Sequence, residues 1–367
     1  MQAGITVRTL QQFLKDLIWD FGRVRELLQR HVVASLSKRA DTDDLGTVGI
    51  IDETATPKKG DKTPGVQRQW CGRLGKVENC LVTVHLAVAR GRYKTLIDFD
   101  LFLPEQWSAN RSRCRAAGIP DEVVHRPKGM IALEQLDRAK AQGVVLDWLT
   151  FDEEYGKSPG FIAGLNERHL RFVGEVPCTL ACLAINRHGR RPDEHTSSRT
   201  AAEVVRNTVV FREQAWQVVR LARQTLADQV WRVKAARVWL SSEQGWSSGM
   251  YWLIWASNDE TGEEKFFLSN APEDANIETL VRVAFRRWNV EHALRIAKTE
   301  LGFSHYEGRD YTGLMRHMSL CLVAMTFVAE HTDRLREKKS RGDSGAGVPG
   351  HGSGVPELVD AARRSQC

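Results

Sequence analysis

The stretch VTVHLAVARGRYKTLIDFDLFL, residues 82–103, decides the fold class of this chain. In its first half, apolar residues alternate with polar or small ones, which is the two-residue period of a β-strand. A turn containing Gly91 separates this strand from a second strand-like run that begins at Tyr93. Upstream, residues 48–51 form a short run rich in β-branched residues that ends in Asp52. These three runs predict an antiparallel meander.

The next part of the chain alternates between helical and extended patterns. The predicted order is helix, strand, helix, strand, over residues 131–142, 144–151, 159–169 and 171–176. Gly143 ends the first of these helices, and the strand that follows runs directly into Asp152. The pattern predicts an α/β fold in which Asp52 and Asp152 each lie at the end of a strand.

Composition changes along the chain predict five segments. Residues 1–45 form a small N-terminal helical segment, two helices broken near residues 20–22, and 46–177 form the first part of the α/β core. A β-rich insertion follows at 178–275, and its tryptophans are either core residues or a surface for stacking on DNA bases. Residues 276–333 are the C-terminal helices of the core, and 334–367 form a basic, glycine-rich tail predicted to be disordered.

Charge and cysteine content narrow the class of protein. The formal net charge of +6 and the pI of about 9.0 favour a polyanionic partner such as nucleic acid. The seven scattered cysteines indicate reduced thiols, and the spacing of Cys178 and Cys182 is not that of a zinc knuckle. The sequence lacks eighteen consecutive apolar residues and a signal-peptide pattern at its start, so we expect a cytoplasmic protein with no membrane partner.

The segment RWNVEHALRIAK, residues 287–298, carries the strongest chemical pattern. It falls in a single predicted helix over residues 277–301, where the 3.6-residue repeat brings Arg287, Glu291 and Lys298 close to one face. A carboxylate flanked by two bases could hold a metal ion and the oxygens of a phosphodiester. The alternative is an exposed ladder of ion pairs, although the order Arg287 before Glu291 is the weaker one for a helical pair.

This spacing resembles the Tyr-x2-Arg-x3-Glu-x6-Lys signature of bacterial insertion-sequence transposases with a DDE catalytic domain. Ala284 stands where the signature has Tyr. Three further blocks of that family are similar to segments of this chain, in the same order: IDETATPKKG at 51–60, QWCGRLGKVENC at 69–80 and ELGFSHYE at 300–307. Relatives generally have further helical sequence before the segment similar to residues 10–31, so the resemblance also predicts a copy truncated at its N-terminus.

The resemblance implies a ribonuclease H-like core whose catalytic, metal-binding triad is Asp52, Asp152 and Glu291. Three such carboxylates could hold two Mg²⁺ ions about 4 Å apart, and Mn²⁺ could replace them. Asp147 or Glu153 could take the place of Asp152, and Glu53 that of Asp52. The predicted DNA-binding residues are Arg287, Lys298, Lys58 and Lys59.

The predicted function is that of a transposase that cuts DNA at the ends of an insertion sequence and joins them to a target. Its partners would be double-stranded DNA, both terminal repeats and target, and a second copy of the chain in a homodimer on DNA. The expected location is the bacterial cytoplasm, associated with the nucleoid. Two alternatives stay open: a DNA-binding protein derived from a transposase, and a ribonuclease H-like nuclease without strand transfer.

Overall fold

The structure is a computed structural model that describes residues 7–185, 190–221, 228–243 and 245–343. It has a mixed α/β architecture with two sheets. The chain divides into two compact units, Met1–Ala329 and Glu330–Cys367, and the first unit contains all the strands described below. Residues 344–367, most of the tail predicted to be disordered, lie outside the described residues.

Two helices open the described chain, as the apolar spacing predicts: α1, Val7–Lys15, and α2, Phe21–Leu36. The break between them ends at Asp20, whose carboxylate accepts a hydrogen bond from Gly22 N at 2.7 Å and caps α2. Arg25 of α2 reaches the fully buried Asp98 at 3.3 Å. This buried ion pair fastens the N-terminal segment to the core.

The first sheet has five strands: β1, Val48–Pro57; β2, Gln67–Cys71; β3, Lys76–Arg90; β4, Tyr93–Phe102; and β5, Trp148–Thr150. β3 pairs antiparallel with β1, β2 and β4, whereas β5 pairs parallel with β1. The meander of β3 and β4 is therefore as predicted. β2 is an additional edge strand that the periodicity did not predict.

Helices cover the region between and after these strands: α3, Glu105–Ala109; α4, Arg111–Ala116; α5, Lys128–Ala141; α6, Glu153–Gly156; and α7, Pro159–Glu167. Gly143 follows α5 with a φ of +89°, a backbone conformation that glycine adopts without strain. The predicted helices at 131–142 and 159–169 correspond to α5 and α7.

The second sheet contains β6, Val173–Val176; β7, Ala181–Ala184; β8, Arg199–Thr200; β9, Gln217–Leu221; β10, Gln229–Ser242; β11, Gly245–Trp246; β12, Tyr251–Ser257; and β13, Glu264–Ser269. Two short helices, α8 at Ala201–Asn207 and α9 at Val209–Arg212, lie among these strands. Trp231 is fully buried, and Trp239 and Trp246 are buried as well. Most of this region is β-rich, in line with the prediction for residues 178–275.

Three helices end the described chain: α10, Ile277–Phe285; α11, Trp288–Thr299; and α12, Tyr311–Asp343. By length and composition alone Tyr311–Leu335 could cross a membrane, but 56% of its most apolar stretch is buried inside the protein. Leu314, Met315 and Met318 are among its core residues. This burial is typical of the core helix of a globular protein.

Three local predictions were wrong. β1 does not end at Asp52, because Asp52 and the five residues after it continue the ladder with β3. The strand predicted over 144–151 is only three residues long, since Asp147 is instead used to accept a hydrogen bond from Thr47 N at 2.7 Å.

The single helix predicted over 277–301 is broken at Arg286 and Arg287. Both arginines have tertiary partners: Arg286 donates to Gly91 O at 3.2 Å and pairs with Asp43, and Arg287 is drawn into the acidic site. The backbone tightens there, because Val290 N bonds to Arg287 O three residues earlier.

Candidate active site

Two of the predicted acids are brought together by neighbouring parallel strands. Ile50 of β1 is level with Thr150 of β5, and Asp52 and Asp152 each lie two residues beyond that pair. Because parallel strands advance by the same rise per residue, the two carboxyl groups meet at the same edge of the sheet. Asp152 also caps α6, with its Oδ1 accepting from Glu154 N at 3.1 Å.

Burial gives these two acids an unusual affinity for protons. The pKa of Asp52 is raised to about 8, chiefly by desolvation and then by the nearby charge of Asp152. The pKa of Asp152 is raised to about 6 by desolvation and then by the charge of Glu53. Arg287 lowers both pKa values, but not enough to offset burial. The site therefore holds more carboxylate groups than its own positive charge can stabilise.

Glu291 comes to the same region from α11, which packs against β1 and β4. Its carboxylate is half exposed and pairs with Arg287, with 2.7 Å between Oε1 and Nη1. Arg287 Nε also lies 3.9 Å from Glu175 Oε2 on β6. The arginine thus sits among the acids, and Glu291 faces it rather than the two aspartates.

Within the described ranges, the structure contains no group of three or more His, Cys, Asp or Glu side chains arranged to hold a metal ion. The donor set nevertheless fits a divalent cation. Asp52 is buried, Asp152 is half-buried and both are short of positive charge, and Glu53 Oε2 is a buried carboxylate oxygen without a hydrogen-bond partner. A hard cation binds such oxygens and removes their desolvation cost.

Several residues of the site were missed by sequence reasoning or treated only as rivals. Glu53 is close enough to Asp152 to raise its pKa, and it forms an ion pair with Lys128 at the start of α5. Tyr155 is fully buried beside the same acids, which raise the pKa of its hydroxyl after desolvation. The sequence indicated Glu53 because it stands next to Asp52. It did not indicate Lys128, which comes from the distant helix α5.

The rival acid Asp147 belongs to the opposite end of β5. It bonds to Thr47 N, which precedes β1, whereas Asp52 lies five residues farther along that strand. At about 3.3 Å per residue, Asp147 is roughly 16 Å from the level of Asp52. Asp147 therefore cannot share a cation with Asp52 in this structure.

The predicted basic residues occupy different environments. Lys298 is half-buried, and its pKa is lowered by desolvation and then by Arg73, while the charge of Asp52 opposes this shift. Lys58 is buried, and its ammonium group donates to Ser304 O at 3.0 Å, to Tyr306 O, and to Glu307 Oε1 at 3.2 Å. Lys59 is exposed. Of the two adjacent lysines, Lys59 is thus the one available to a ligand.

The site is built on an α/β core, with Asp52 inside β1 and Asp152 just beyond β5, and comparison with known families assigns the chain to a class of endonucleases. A sequence model of the family described as "DDE superfamily endonuclease" matches residues 2–237. The chain belongs to this family. The match includes Asp52 and Asp152, whereas Glu291 lies beyond it and rests on the signature of α11 alone.

Among individual relatives, the probable transposase for insertion sequence element IS701 of Microchaete diplosiphon is 31% identical over 166 residues. The alignment covers 45% of this chain and 39% of the relative, so the chain spans well under two thirds of that protein. Among solved structures, the NurA nuclease from Sulfolobus solfataricus matches 82% of this chain and 99% of its own at 8% identity, with a TM-score of 0.28.

Proposed function

We propose that the protein is a DDE transposase that catalyses Mg²⁺-dependent cleavage and strand transfer at the ends of an insertion sequence. The observation that carries the proposal is the placement of Asp52 and Asp152 two residues beyond Ile50 and Thr150, which pair on neighbouring parallel strands, in a chain of the DDE endonuclease family. The IS701 relative supports the transposase class.

The strand order supports a ribonuclease H-like core. The order is β4-β3-β1-β5, and β6 lies alongside β5 through a parallel bridge between Leu149 and Phe172. In this order β3 runs antiparallel to both β4 and β1, and β5 and β6 then continue the sheet parallel to β1. In this proposal residues 46–177 and 276–333 form the core, 178–275 are an insertion, 1–45 are part of a DNA-binding region and 334–367 are a tail.

Asp52, Asp152 and Glu291 would hold the cation, Mg²⁺ or in its place Mn²⁺. When bound, the metal would activate the attacking oxygen and stabilise the leaving oxygen of the phosphodiester. For Glu291 to take part, its carboxylate must leave Arg287. The guanidinium of Arg287 is then free to bind phosphate oxygens with its paired N–H donors. Lys298 and Lys59 would neutralise neighbouring phosphates, and Lys58 would hold the loop that carries Lys59.

The partners in this proposal are double-stranded DNA, both terminal repeats and target, and a second copy of the chain in a homodimer on that DNA. Its location would be the bacterial cytoplasm, in association with the nucleoid. A second candidate function is a DNA-binding protein that has lost catalysis. The ion pair between Arg287 and Glu291 favours it, because this pair must break before Glu291 can bind a cation.

Cleavage of labelled duplex DNA by the full chain, with and without Mg²⁺ or Mn²⁺, tests the proposal. The DNA should contain the sequences that flank the gene. We expect cleavage with either metal and little with Ca²⁺. Glu291→Gln should abolish cleavage and leave DNA affinity within about twofold of wild type, because the amide keeps the shape and loses the charge that holds a cation.

Glu300→Gln, which changes an exposed acid at the end of the same helix, is the matched control and should cleave normally. Binding without cleavage by the wild type, under every metal condition, would support the second candidate. If Glu291→Gln loses folding and binding together, the residue is a structural ion-pair partner instead.

A further inference from the structure

A β-hairpin made of β2 and the start of β3, residues 67–80, stands at one edge of the first sheet. Its ladder runs from Gln67 opposite Cys80 to Cys71 opposite Lys76. Residues 72–77 are all exposed. The tip of the hairpin is therefore open to solvent.

The outer face of the hairpin carries large apolar side chains. Trp70 is 62% exposed and pairs across the strands with Val77, which is 51% exposed, while Leu74 at the tip is 45% exposed. The inner face is different, because Cys71 and Cys80 are fully buried and fix the register. Trp70 is thus held outside by a well-defined ladder. An exposed indole next to two aliphatic side chains is typical of a binding surface.

The charge of the hairpin indicates what it binds. The hairpin has three exposed basic residues, Arg68, Arg73 and Lys76, and one acid, Glu78. Glu78 lies 3.3 Å from Lys76 and 4.0 Å from Arg68. A basic rim around an apolar centre is complementary to nucleic acid, in which phosphates flank flat bases.

The hairpin is continuous with the proposed active site. Asn79 donates from Nδ2 to Lys58 O and to Gly60 O, both at 2.7 Å, and so ties the base of the hairpin to the loop that carries Lys59. In the turn of the hairpin, Arg73 lies near enough to Lys298 to lower the pKa of that lysine. DNA held at Lys59 and Lys298 would therefore lie against the hairpin.

From this geometry we propose that the hairpin of residues 67–80 binds the DNA next to the cleaved bond, and that Trp70 stacks on an unpaired base there. This inference rests on the proposed function. The exposed indole offers a flat face that any base can cover, and Arg68 on the same face of β2 and Arg73 in the turn would hold neighbouring phosphates. A base within a duplex has both faces covered, so the indole selects DNA whose strands have separated.

The test uses two labelled probes with the same sequence, a blunt 30-base-pair duplex and a fork with several unpaired bases at one end. Affinities are measured by fluorescence anisotropy with the full chain, in Ca²⁺ to prevent cleavage. We expect wild type to bind the fork more tightly than the blunt duplex. Trp70→Ala should weaken fork binding about tenfold or more and blunt-duplex binding less than twofold. Trp70→Phe should retain most of the preference.

Val145→Ala is the matched control, since Val145 is 77% exposed and lies before β5, at the end of that strand away from Asp152. It should bind both probes like wild type, and melting temperatures should show that all variants fold. Equal losses on both probes, or none, would overturn the stacking role of Trp70. A change in oligomeric state in Trp70→Ala would also overturn it and assign the surface to a second copy. A wild type that binds neither probe would instead refute the proposed function.

Discussion

The proton affinity of the candidate active site leads to a quantitative prediction about metal binding. At pH 7 a carboxyl group with a pKa of about 8 is protonated in roughly nine molecules of ten, and one with a pKa of about 6 in roughly one of ten. A divalent cation binds the deprotonated carboxylates, so its binding must release these protons. Asp52 and Asp152 together should release about one proton per protein molecule at pH 7. Because the two groups interact, this number belongs to the pair.

The apparent metal affinity follows from the same numbers. Between pH 6 and pH 8 one proton competes with the metal, so affinity should rise about tenfold per pH unit. Below pH 6 the second carboxyl group is protonated as well, and the dependence should approach a hundredfold per unit. Above about pH 8 the affinity should become nearly independent of pH.

Isothermal titration calorimetry with Mn²⁺ measures both quantities. Titrations in two buffers of different ionisation enthalpy give the number of protons released at each pH. Asp52→Asn should bind Mn²⁺ weakly, and any remaining binding should release few protons. Glu300→Gln should behave like wild type. Affinity that does not change between pH 6 and pH 8, with no proton release, would refute the argument that burial and mutual repulsion hold protons on these acids.

Two other changes separate the roles of individual residues. The raised pKa of Asp52 means that the metal-free folded state loses stability as the pH rises from about 4 to about 8. Asp52→Asn should therefore raise the melting temperature at pH 8 and make the melting temperature depend less on pH. An unchanged pH profile would count against a buried Asp52. Lys298→Ala should reduce the steepness of log DNA affinity against log salt concentration by nearly one unit. The reason is that binding without this phosphate contact releases about one counterion fewer from the DNA. The exposed Lys140→Ala on α5 should leave that slope unchanged, and an equal slope in both variants would mean that Lys298 does not contact DNA.

The parts of the fold that the sequence predicts are those with a strong local period. β3 and β4 alternate over many residues and are buried on at least one face, so their pattern is clear. β2 has only five residues and lies at a sheet edge. Cys71 is its one buried residue, so the strand has too few inward-facing apolar residues to show a two-residue period. The apolar run at 144–151 pointed to Asp152 because it ends directly before that residue. In the structure only Trp148–Thr150 of this run is a strand.

Other features depend on contacts between distant parts of the chain. The 3.6-residue period of the sequence does not predict the break between α10 and α11. The break results from contacts of Arg286 and Arg287 with other elements of the fold. The burial of Lys58 depends on carbonyl groups almost 250 residues away. The sequence pattern predicts the same DNA-binding role for Lys58 and its neighbour Lys59, although only Lys59 is exposed.

These long-range contacts give Arg287 a particular place in the proposed mechanism. Without a cation, Arg287 lowers the pKa values of Asp52 and Asp152, pairs with Glu291 and lies 3.9 Å from Glu175, so it lowers the energy of holding these acids together. A bound cation would satisfy the aspartates and attract Glu291, which removes the main partner of Arg287. The N–H donors of the guanidinium that pair with Glu291 would then be available to a phosphate oxygen. One residue can thus stabilise the empty site and bind DNA in the loaded one, and the break at the start of α11 is what allows its side chain to face the acids.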